Sequence, residues 1–98
     1  MTAYWINTFT AIRDADKLAA YVALSGPAIR AAGGEFLARG VPAEVFEGGQ
    51  KTRSALVRFP SVEAAVAAYH SPGYQEALVA LGDGADRDIR IVPAVDAS

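Results

Sequence analysis

The chain has 98 residues, 52% of them hydrophobic and 20% charged, with 9 Lys and Arg against 11 Asp and Glu and a net charge of −2. That length makes one domain with one small core, and the sequence shows no basic stripe of the kind that binds nucleic acid. The lack of cysteine excludes disulfides, thiolate catalysis and cysteine-based metal sites, and no apolar run approaches the ~20 residues of a membrane-spanning helix. The start, Met1-Thr2-Ala3-Tyr4-Trp5, carries no basic region ahead of an apolar one. A secretory signal is therefore not expected, and a cytoplasmic location is.

Residues 3–10 are rich in aromatic and β-branched side chains and read as a strand. Alternation puts Tyr4, Ile6 and Thr8 on one face and Trp5, Asn7 and Phe9 on the other, so both faces are expected to be covered. Asp14 then caps a helix over about 14–32, in which Leu18, Tyr21, Val22, Ser25 and Ile29 recur at helical spacing. Pro27 lies inside that pattern and predicts a break or kink near Ser25-Gly26. Gly33-Gly34 ends the helix and, with no Lys-Ser/Thr following, is not a phosphate loop.

A second strand is predicted over 35–47, interrupted at Gly40-Val41-Pro42, because proline is confined to an edge or bulge. A third covers 53–59. Phe59-Pro60-Ser61 then stops the strand and caps a second helix over 61–81, with Val62, Ala65, Val66 and Tyr69 as its apolar stripe. Ser71-Pro72-Gly73 restarts that helix, serine as cap and proline at the first helical position. Gly82-Asp83-Gly84 ends it, and 88–93 forms the last strand. The order β-α-β-β-α-β is the split βαβ pattern, an α+β ferredoxin-like, four-stranded antiparallel sheet with both helices on one face.

Gly33-Gly34-Glu35-Phe36-Leu37-Ala38-Arg39-Gly40, Phe59-Pro60-Ser61-Val62-Glu63-Ala64-Ala65 and Tyr74-Gln75, in this order and spacing, resemble the domain of unknown function 1330 family. The resemblance runs from Tyr4-Trp5 to about Val92 and implies the dimeric α/β-barrel superfamily, in which the open sheet face packs against its twin. A homodimer is thus implied, in keeping with an apolar share larger than one small core needs. The family brings no established activity. Similar barrels include antibiotic-biosynthesis monooxygenases, which makes a cofactor-independent monooxygenase one reading, beside a dimer that binds a small organic molecule and a structural or regulatory dimer without a ligand. Three positions depart from the family's usual pattern: Leu81-Gly82 where a basic residue is common, Pro93-Ala94 where an acidic residue and glycine are, and Val41 where a second glycine is.

His70 is the sole histidine and the one side chain whose ordinary pKa lies near neutrality, which makes it the candidate acid or base. It equally suits a plain helix end, where a cation favours the dipole. A single histidine without cysteine makes no transition-metal site, and no cofactor is expected. Arg39 and Arg58 suit a substrate carboxylate, or ion pairs with Glu44 and Glu47. A pocket between sheet and helices is expected to draw on Trp5, Asn7, Tyr21, Arg39, His70 and Tyr74, although aromatic residues at these spacings are also ordinary core.

Overall fold

A computed structural model describes residues 1–95. Strand β1 (Ala3–Ile12) buries every second residue, Ala3, Trp5, Asn7 and Phe9, and leaves Tyr4, Ile6 and Thr8 half-buried on the opposite face. It lies at the centre of one antiparallel sheet with β2 (Glu35–Gly40), β3 (Arg53–Phe59) and β4 (Ala85–Pro93), in the order β2-β3-β1-β4. The register sets Trp5 beside Val57 and Ile91, and Asn7 beside Ala55 and Ile89. These residues share the face that the helices cover. This is the expected ferredoxin-like α+β fold. No helix among the described residues is long and apolar enough to cross a membrane.

Helix α1 (Ala15–Ala31) begins where the Asp14 carboxylate accepts from the amides of Asp16 and Lys17. Of the break or kink expected near Ser25-Gly26, the break does not occur, and the helix runs through Pro27. Gly26 has no Cβ to meet the proline ring, which removes the usual clash with the preceding residue. The Ala23 carbonyl that loses its partner lies on an exposed turn, where water can serve it.

The second helical segment does divide as predicted, into α2 (Val62–His70) and α3 (Pro72–Leu81). Ser71 makes the joint. Its hydroxyl donates to the Ala68 carbonyl at 2.7 Å and accepts from the Tyr74 amide at 3.3 Å, closing one helix and opening the next. Ser61 caps α2 in the same way, accepting from the Ala64 amide.

Two other boundaries differ from expectation. The extended structure predicted to 47 stops at Gly40, and 41–52 is a loop. Pro42 cannot donate to a ladder, and Glu47 adopts a left-handed φ of 53° inside a turn closed by Gly49 donating to the Phe46 carbonyl. Strand β4 starts at Ala85 instead of 88, and a bulge in β1 between Phe9 and Ala11 shifts the pairing by one residue there. Gly33 takes φ 98°, while Gly34 is required by space. A Cβ there would lie 2.6 to 2.9 Å from Ile29, Phe59 and Val57.

The core is a single layer between sheet and helices, built on Trp5, Phe9, Tyr21, Ile29, Val57, Phe59 and Tyr74. The molecule measures 43 × 36 × 15 Å. Its thin dimension has room for one sheet and one helical layer, so nothing among the described residues covers the sheet's other face.

Candidate ligand-binding site

The helix cap at Ser71 fixes Tyr74 in the first turn of α3, where its ring is fully buried and edge-on to Trp5, 5.1 Å between centroids. Tyr21 reaches the same point from α1. The two hydroxyls lie 2.7 Å apart, and one terminal nitrogen of Arg87, on β4, donates to both at 2.8 and 2.9 Å. The guanidinium also stacks 4.7 Å from the Tyr21 ring centre. Burial pushes the Tyr74 hydroxyl pKa far up, so the group is neutral at physiological pH. Burial draws the Arg87 pKa down, but the two tyrosines outweigh it, and the group ends above its ordinary value.

The tyrosine pair has a proton to place elsewhere. Two hydroxyls hold two protons, and the bond between them uses one. Tyr21 also borders a recess beneath α1, walled by Trp5, Phe9, Ile29 and Val57, with Asn7 on its floor. Asn7 is 3% exposed, and its Oδ1 accepts no hydrogen bond among the described residues. The recess presents one unpartnered acceptor, Asn7 Oδ1, with Tyr21 on its border. That is the complement of a water or of a ligand hydroxyl. Counted out to solvent the recess encloses about 350 Å³, but the free space inside is about 20 Å³, room for a single water. Phe36, Arg39 and Arg53 stand at its mouth, with Arg39 and Arg30 both stacked over the Phe36 ring.

Of the residues singled out in the sequence, Trp5, Asn7, Tyr21 and Arg39 meet at this recess, and Tyr74 stands behind it through Tyr21. His70 does not join them. It is exposed at the end of α2, edge-on to Tyr69. Arg58 pairs with Glu35 on the open sheet face instead of with Glu44 or Glu47. Arg87 was missed. The alternation of β4, with Arg87, Ile89 and Ile91 on one face, carried the signal that this arginine points toward the helices. The predicted strand began one residue too late to include it.

Residues 2–95 match the family described as domain of unknown function 1330, DUF1330. The chain belongs to the DUF1330 family. No curated protein matches its sequence. Among solved structures, this DUF1330 chain is similar to a protein of unknown function from Rhodopseudomonas palustris, at 23% identity and a TM-score of 0.74 over 97% of this chain and 83% of that one. It is also similar to SnoaB, a cofactor-independent oxygenase from Streptomyces nogalater, at 14% identity and a TM-score of 0.66 over 97% and 94% of the two chains. At these identities the likeness is one of fold.

Proposed function

We propose that this DUF1330 protein is a homodimer that binds a small organic molecule in the recess beneath α1, with a ligand hydroxyl seated between Tyr21 and Asn7. The observation that carries the reading is the Asn7 Oδ1. A buried acceptor without a partner costs about 1–3 kcal/mol, and a bound hydroxyl removes that penalty. The free space accepts only the polar end of such a ligand, so Phe36 and Arg39 must move aside for the rest. Arg39 is exposed and held there by stacking alone among the described contacts, which makes it a movable gate with a charge suited to an acidic substituent. A phenol bearing a carboxylate fits these requirements.

The dimer half of the reading rests on the open sheet face. Tyr4, Ile6, Leu56 and Val92 lie on it, and beside them a groove of about 420 Å³ runs between Ile6, Leu56, Val41 and Pro42. Charges on this face are paired within the chain, Arg58 with Glu35 and Arg90 with Asp88. The face therefore does not repel a second copy of itself, as an isologous contact requires. The oxygenase named among the structural neighbours supports an enzymatic reading by fold alone, and among the described residues no histidine or carboxylate lines the recess.

Trp5 is the only tryptophan, and it lines the recess. Its indole N–H gives one NMR resonance, which should shift saturably on titration with phenol or 4-hydroxybenzoate. Asn7→Ala should weaken binding about tenfold, while His70→Gln should leave it unchanged. The proposal fails if the resonance does not respond below about 10 mM ligand, weaker than any useful site, or if Asn7→Ala binds as tightly as the parent.

A further inference from the structure

On the β4 side of the tyrosine pair, away from the recess, β4 and the end of α3 enclose a cleft of about 590 Å³. Its walls include Tyr69, Leu78, Leu81, Ile89 and Ile91, and Arg87 is the only cation and Asp86 the only carboxylate among the described residues that line it. A volume of roughly 300–1,000 Å³ is the ordinary size of a small-molecule site.

The charge balance around Arg87 is incomplete. A half-buried guanidinium ordinarily faces a carboxylate. Among the described residues, none lies within ion-pairing distance of this one. The nearby acids already have partners: Asp86 receives both terminal nitrogens of Arg13 at 2.8 and 2.9 Å, Asp83 holds Lys17 at 2.6 Å, and Asp88 holds Arg90. The partners of Arg87 are two neutral hydroxyls, both served by a single nitrogen. Its Nε and second terminal nitrogen have no acceptor among the described residues. The tyrosines thus clamp the guanidinium from behind and leave part of its donor fork open.

We propose that this cleft is a binding site for an organic carboxylate with an apolar chain, the carboxylate pairing with Arg87 and the chain lying along Leu78, Ile89 and Ile91. The site is separate from the recess and does not depend on it. Arginine suits the role because its planar fork matches a carboxylate and its position is already fixed.

Octanoate is the probe, with 1-octanol and octylammonium as matched chains of different charge. Methyl NMR should show saturable shifts at Leu78, Ile89 and Ile91 with octanoate, and at least about tenfold weaker binding of the other two, the worth of one charge-assisted contact. Arg87→Met should lower octanoate affinity about 10- to 100-fold and leave that for 1-octanol unchanged. If that variant does not fold, the comparison of the three probes on the parent protein decides alone. Asn7→Ala should bind octanoate as the parent does. Equal affinity for octanoate and octanol would overturn the proposal. So would shifts confined to Ile6 and Leu56 on the open face, or no saturation below about 10 mM.

Discussion

The hydroxyl of Tyr21 lies 2.7 Å from that of Tyr74, and this single contact joins α1 to α3 directly above Trp5. Neither tyrosine could satisfy its hydroxyl alone, because each ring is buried among Trp5, Phe9 and the other tyrosine. Arg87 completes the arrangement from β4, so three elements meet in one polar contact inside an otherwise apolar layer. That contact also separates the recess over Asn7 from the cleft over β4.

Removing one hydroxyl should therefore be costly. Tyr74→Phe leaves Arg87 with one acceptor and Tyr21 without its hydroxyl partner on α3, and should lower stability by about 1–3 kcal/mol, measured by urea denaturation. The alkaline limb provides a second readout. The folded-state pKa of Tyr74 is raised above the ordinary 10.0 by burial first. Its contribution is present in full below pH 10 and is lost as the pH rises further, since the unfolded chain ionises first. Stability should fall above about pH 10, and more steeply in the parent than in Tyr74→Phe. Equal slopes would show that Tyr74 ionises freely in the native protein.

The fold was legible because each boundary has a local chemical cause. Asp14, Ser61 and Ser71 cap the helices they were expected to cap, and the alternation in β1 told the two faces apart. The errors came where a neighbour overrode a rule: Gly26 spared α1 a break at Pro27, and the ladder of β2, ended at Gly40, did not resume beyond Pro42. The site was half legible. Strand alternation grouped Trp5 with Asn7, but no sequence pattern says that two tyrosines 53 residues apart will bond to each other and both accept from one arginine. His70 attracted attention for its pKa range, a property of residue type that says nothing about whether the side chain faces inward.

Gly34 should tolerate no side chain. A methyl group at this position would meet three core groups at 2.6 to 2.9 Å, and these belong to Ile29, Phe59 and Val57, which are themselves packed. Gly34→Ala should cost about 1–3 kcal/mol through overpacking, seen as a lower urea midpoint with an unchanged slope. Gly40→Ala meets nothing within 4 Å, although it must adopt φ 144°. Its cost should come from backbone strain alone. If Gly34→Ala matches the parent, the end of α1 is loose enough to move away.

Acid should loosen the end of the molecule where Arg13 grips Asp86 and Lys17 grips Asp83. Hydrogen bonding to those cations, with their charge, holds both carboxyl pKa values below the ordinary 3.8. Their contribution is present above that value and disappears as the pH falls through the lowered folded-state values. All four groups are exposed, so the effect should be small and screened by salt. Arg13→Gln should flatten the acid limb of a stability profile below about pH 4 and leave neutral stability little changed. A profile identical to the parent's would mean the pair forms equally well in the unfolded chain.

The open sheet face supplies the last test. Ile6 and Leu56 are directly opposed across β1 and β3, on the face that no helix covers. Leu37, Val41, Phe46 and Val92 are also exposed, at 44%, 66%, 79% and 42%. Exposed apolar groups in such number mark an interaction surface, and the internally paired charges around Ile6 favour a copy of the same face. Light scattering at micromolar protein should give about twice the chain mass of 10.2 kDa. Leu56→Glu places a charge at the centre of that contact and should yield a folded monomer, because the substitution lies away from the helix-covered core. A parent protein that scatters as a monomer would show that this face meets something other than itself.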